Sequence, residues 1–180
     1  MARTFPALLT KLRASETVSE KDVSALCELV AQCSSIDEDA AQIIIALNAL
    51  SKHTEGWQSF YIDTLCEYII CDQAPIGYVS HENAQWLIDH VSEEGIVAEP
   101  ANIELLINVL ERGICVPPEL SAFTLNQVAY AMSTGKGPLR SSHLSGNINC
   151  VLAEDVTVLN RILQAFGNFG EVAITVARFK

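Results

Sequence analysis

The chain has 180 residues, 49% of them hydrophobic, and 11 Lys and Arg face 22 Asp and Glu for a formal charge of −11. That length and apolar content suffice for one good core, while the negative charge repels nucleic-acid phosphates and anionic membrane surfaces. No run approaches the ~20 apolar residues of a bilayer span, and Met1 to Pro6 leads into a charged amphipathic stretch without a secretory apolar core, so a cytoplasmic location is expected.

The first element is announced by the β-branched step Thr17-Val18 and by Ser19, an N-cap residue type. Val23, Leu26, Cys27 and Val30 then follow the i, i+3, i+4, i+7 spacing of a helix buried on one face. A break at Ser34-Ser35 precedes Ile36, and Asp37 is the expected N-cap of a second helix carrying Ile43, Ile44 and Leu47. Gly56 opens a third, with Trp57, Phe60, Tyr61, Leu65, Tyr68 and Ile69, which ends near Pro75-Ile76-Gly77.

The pattern then begins again. Val79-Ser80 stands 61 residues after Val18-Ser19, and Ala84, Leu87, Ile88 and Val91 take the places of Val23, Leu26, Cys27 and Val30. After Gly95, Val97 and Pro100 lead into Leu105, Leu106 and Val109; after Pro117-Pro118 come Phe123, Leu125, Val128 and Met132. A third start is visible at Val151-Leu152, with Leu159, Ile162, Leu163 and Phe166 on its first helix, followed only by Val172 to Thr175 and the end at Lys180. Self-similarity of this period predicts an all-α fold made of a tandem repeat of three-helix units. The chain reads as a single helical domain over residues 1–180, with units at 14–76, 77–140 and an incomplete one at 147–180. Leu26 and Leu87, and Ile44 and Leu105, are expected to be equivalent core positions, and only the short steps at Val18, Ile36, Val79 and Val97 could pair as small ladders.

Cys27, Cys33, Cys66, Cys71, Cys115 and Cys150 are spread through apolar surroundings and read as reduced, buried thiols rather than as a disulfide framework. Cys66 and Cys71 are five apart, which turns them off a common helical face and argues against a zinc site. Trp57 and Trp86 read as core anchors, with an aromatic ligand cage as the alternative. His53, His81, His90 and His143 have no partner at a spacing that defines a catalytic set with Cys66 or Cys115. The stretch from Ser133 to Ser142 is glycine-rich, and Lys136 and Arg140 could contact an anion there. It is not a Walker A loop, and its ordinary role is an exposed linker.

The sequence around Gly77 to Leu110, with glycine, aliphatic step and capped helix, resembles one half of an EF-hand, and its paired steps resemble the ladder that joins two such loops. The ligand positions hold Asp72, Ala74, Ile76 and Asn83, or His90, Ser92, Glu94 and Ala101, which are too poor in carboxylates for a calcium loop. Gly77-Tyr78-Val79-Ser80 with Glu82, Gly95-Ile96-Val97 with Glu99, and Ile36-Asp37-Glu38-Asp39 also give the chain a resemblance to the small all-helical bacterial proteins of the tellurite-resistance TerB-like group. That resemblance implies a cytoplasmic, non-catalytic helical module with an acidic cation-binding surface. Ala98 stands where the second copy would repeat the first carboxylate of the Asp37 cluster.

Three functional classes follow. The leading one is a non-catalytic protein-interaction or scaffold module whose acidic exterior selects a protein partner with a basic surface, without nucleic acid, membrane or cofactor. The second is an acidic divalent-metal-binding or stress-response protein using Asp37, Glu38 and Asp39, with Glu93 and Glu94. The third is an enzyme of unknown reaction. Three carboxylates on one helix start cannot all point at one ion, and capping that helix accounts for them more simply; no specific metal site is expected.

Overall fold

Eight helices make up the regular structure of the residues that the computed structural model describes, namely 4–33, 35–51, 54–71, 75–140, 151 and 153–167. In chain order they are α1 (Phe5–Ser15), α2 (Glu20–Val30), α3 (Glu38–Ser51), α4 (Trp57–Ile70), α5 (His81–Val91), α6 (Pro100–Arg112), α7 (Pro118–Thr134) and α8 (Ala153–Gly167). His53, Asp72, Ala74, His143, Ile148, Cys150 and the stretch from Val172 to Lys180 lie outside the described residues.

The helix starts are set by the residues that can satisfy open backbone N–H groups. Ser19 and Asp22 form a reciprocal capping box on α2: the Asp22 N–H donates to Ser19 Oγ at 3.4 Å and the Ser19 N–H to Asp22 Oδ2 at 3.1 Å. Asp37 accepts from the Ala40 N–H at 2.8 Å, and Ser80 from the Asn83 N–H at 3.0 Å. Proline serves where it lacks the hydrogen that would otherwise need a partner, in the first turns of α1, α6 and α7.

Packing follows the apolar stripes. Phe5, Leu8, Leu9 and Leu12 bury one face of α1 against α2 and α3, while α4 lies on α2, α3 and α6, and α8 on α6 and α7. Leu26, Leu87, Ile44 and Leu105 are all completely buried in one continuous core, as the sequence pattern requires.

The extended steps behave differently from expectation. Among the described residues the only β-type pairings are two isolated bridges, Tyr78 with Cys115 and Glu93 with Ile96. Val79 therefore pairs through its N–H with Cys115 O at 2.9 Å, and not with the step at Val97. Val97 is unable to join because the Gln127 side chain of α7 accepts its N–H at 3.0 Å. Glu93 and Ile96 close a tight turn in which Glu94 and Gly95 both have positive φ, 51° and 78°, so the Gly95 segment is a two-residue hairpin turn. At Gly77 φ is +87° and an added Cβ would meet Ile114 Cδ1 at 2.5 Å, which leaves room for glycine alone.

The inward face of α8 is a second correction. Of the apolar stripe expected on this helix, Ile162 is buried but Leu163 is 54% exposed, as is Val156 at 46%, while Asp155 and Ala165 are buried. The helix is rotated because Arg140 draws the Asp155 carboxylate into the interior with two hydrogen bonds, at 2.7 and 2.8 Å.

Replacing Leu26 or Leu87 by Ala should each lower the unfolding free energy by about 2–5 kcal/mol in urea titrations. Val156→Ala, on the exposed face of α8, should change it by no more than about 0.5 kcal/mol.

Candidate functional site

The carboxylates proposed as metal ligands are engaged separately. Asp37 caps α3, and Glu38 Oε1 accepts from the Trp86 indole N–H at 2.9 Å and from the Gln42 amide at 3.1 Å. Among the described residues no three His, Cys, Asp or Glu side chains gather as a metal cluster, Asp39, Glu93 and Glu94 included.

Arg140 is also not available in the way the loop sequence suggests. Its guanidinium grips Asp155 and its Nε donates to Ala131 O at 2.9 Å, so it joins the end of α7 to α8 instead of facing an external anion. Lys136 is exposed in the same segment, with its backbone N–H bonded to Thr134 Oγ1. The two residues are not brought together on one ligand. The Arg140–Asp155 pair is almost dry, with side chains 9% and 0% exposed.

Thiols and rings separate likewise. Cys66 is buried, but Cys27, Cys33 and Cys115 are exposed free thiols and Cys71 is half-buried, which corrects the reading of a uniformly buried set. Burial pushes the Cys66 thiol up to about 12, away from the thiolate that a nucleophile requires. Trp57 is a core anchor whose indole N–H donates to Asn48 Oδ1 at 3.0 Å. Trp86 is half-buried, stacked on His90 at 4.3 Å and edge-on to Tyr68 at 5.4 Å. His81 lies 3.4 Å from Glu119 on the surface.

What the tertiary structure does assemble is a pair of grooves. The larger, of about 810 Å3, runs between α2 and α4, with Val23 and Phe60 in its floor, Cys27 in its wall and Glu20, Glu55 and Asp63 around it. The smaller, of about 570 Å3, lies along α5 with Glu82, Trp86 and Asp89, and is closed by Glu119 of α7. Among the described residues neither is lined by Lys or Arg. Asp63 has an external partner, Arg112 of α6, at 2.8 Å; this exposed pair contributes at most about 1 kcal/mol. Hydrogen bonds from the backbone and from Ser80 hold the Glu82 carboxyl below the usual carboxylate range, so it stays charged at the groove edge.

Helical periodicity could not reveal these grooves, because their walls come from helices about thirty residues apart in the chain. A visible signal of their charge is nevertheless present: from residue 22 to residue 111 there is one Lys and no Arg, against 16 Asp and Glu. No protein-family model, no curated protein and no solved structure matches this chain.

Asp155→Asn should destabilise the protein by about 3–5 kcal/mol, because it leaves the Arg140 charge buried without its counter-charge. Joint replacement by apolar residues of similar volume should cost much less, and denaturant titration of both variants measures the difference. A second expectation concerns alkali. The folded Cys66 thiol titrates near 12 and the unfolded one near 9.0, so both states hold the proton below pH 9 and only the unfolded chain releases it between the two values. Stability falls as pH rises through that window. Urea titrations at pH 8 and 10 should show the decline, and Cys66→Val should reduce it, leaving the part due to the buried Tyr61 phenol, whose pKa burial also raises.

Proposed function

We propose that the chain is a tandem array of three-helix units acting as a non-catalytic, cytoplasmic docking module for a protein with a basic surface. The array is supported by the helix starts: Glu20, Glu38 and Trp57 are followed by His81, Pro100 and Pro118, displacements of 61, 62 and 61 residues. It is supported as well by the neighbours each helix has. α2 packs on α4 as α5 does on α7, α1 on α3 as α4 does on α6, and α3 on α5 as α6 does on α8. In this reading α1 takes the place of a preceding third helix and α8 begins a further unit. Thr54, whose hydroxyl donates to Val18 O at 3.1 Å, then corresponds to Cys115, whose carbonyl receives the Val79 N–H. The displacement is again 61.

The observation that carries the partner's chemistry is where the positive charges go. Arg112, Arg140 and Arg161 are engaged by Asp63, by Asp155 and by Glu104 with Glu111. They join helices to one another, and the stretch from residue 22 to 111, with 16 Asp and Glu against a single Lys, makes for an acidic surface. Such a surface attracts cationic partners and repels anionic ones. Among the described residues no helix is long and apolar enough to cross a membrane.

Selection of ligands for the whole chain from an unbiased displayed-peptide library tests this. Recovered peptides should carry net positive charge and lose affinity about tenfold or more between 50 and 300 mM salt, as screened charge–charge attraction does. Neutral or acidic winners would overturn the reading. So would saturable micromolar binding of calcium, magnesium, zinc or manganese in calorimetry that disappears in a D37N/D39N variant, which would make the metal-binding alternative the better one.

A further inference from the structure

The two grooves are not equivalent in what they can hold. Both lie between the first and third helices of a proposed unit and both are edged by carboxylates, but only the α2/α4 groove has an apolar floor, built by Val23 and Phe60 with Val30 beside them. In the α5/α7 groove the corresponding floor is Ala84 among Gln85, His81 and Trp86. A ligand that brings only positive charge would suit either site. One that brings a row of apolar side chains together with positive charge fits the first far better, since removing apolar surface from water against an apolar floor is favourable.

We propose that the α2/α4 groove is the docking site for one basic, amphipathic helical segment of a partner protein. This rests on the acidic-module reading above and specifies where and in what form the partner sits. The walls are themselves helices of 11 and 14 residues, which offer the length of about three turns of a third. They have no open backbone edge, so an extended ligand would leave its own N–H and C=O groups without partners, whereas a helix satisfies them internally. Apolar side chains at i, i+3, i+4 and i+7 would enter over Val23, Cys27 and Phe60. Lys or Arg on either side would meet Glu20 at one wall and Glu55 at the other, beside Asp63, which Arg112 already engages.

Cys27 provides a reporter inside the site. Its thiol is exposed in the free protein and lines the groove, whereas Cys33 and Cys115 are exposed outside it. The probe is a synthetic 14-residue helical peptide of Leu, Ala and Lys with one apolar face, compared with its Glu-for-Lys counterpart. Binding to the full chain is followed by fluorescence anisotropy, and alkylation of each cysteine is mapped by mass spectrometry with and without saturating peptide. The expected result is saturable binding of the Lys peptide alone and at least tenfold slower alkylation of Cys27, with Cys33 and Cys115 unchanged. An E20K/E55K variant should bind at least tenfold more weakly, while an E82K/E119K variant, altered only at the other groove, should bind as the parent does. Circular dichroism confirms that both remain folded.

Saturable binding with Cys27 still reactive, or binding lost in E82K/E119K and kept in E20K/E55K, would overturn the groove assignment and leave the acidic-module reading standing. No binding of the Lys peptide even at 50 mM salt, or equal binding of the Glu peptide, would overturn both.

Discussion

Burying α4 against α6 is the constraint around which the rest of the molecule is arranged. Ten of the fourteen residues of α4 are buried, so this helix is covered on nearly every side and cannot present a single apolar stripe to one neighbour. Among the polar atoms it carries inward are the Trp57 indole N–H and the Tyr61 hydroxyl, and each must find a partner there. Asn48 of α3 accepts the indole. Asn102 of α6 accepts the Tyr61 hydroxyl at 2.6 Å and the Asn48 amide at 3.4 Å, and donates to Val91 O at the end of α5 at 3.2 Å. Among the described residues no buried side-chain polar atom lacks a partner. Because these bonds are directional, they fix how α3, α5 and α6 are placed along α4, which dispersion and apolar burial alone would leave free to slide.

The same logic explains the use of charge. A buried ion pair adds little net stability compared with apolar packing, but it penalises every arrangement that separates its members. Arg140 with Asp155 acts in this way on α8, while the partly exposed Arg161 adds a more screened attachment to Glu104 and Glu111 of α6. Arg112, Arg140 and Arg161 are each paired with carboxylates from another part of the chain.

Two grooves on similar helix pairs then differ through a few substitutions. Val23 and Phe60 line the α2/α4 groove, Ala84, Gln85 and Trp86 the groove along α5, and carboxylates edge both.

The helices from α2 onward were legible in the sequence because their signals are local, whereas α1 was read only as a charged amphipathic stretch. Ser19, Ser80 and Asp37 act within three residues of themselves, and the stripes through Leu26, Ile44, Leu87 and Leu105 reflect only the helical period and the burial of one face. Three features were decided by distant parts of the chain. Val79 pairs with Cys115 because Gln127 has already taken Val97; α8 turns Asp155 inward because Arg140 waits there; Cys27 lines an open groove because α4 stands away from that side of α2. In each case a residue type that is ambiguous by itself, a step, an acid and a thiol, received its role from a hydrogen bond, a charge or a gap contributed by another helix. Periodicity along one helix contains the direction of its buried face but not the identity of what it will meet, and that identity is where the grooves and their charge come from.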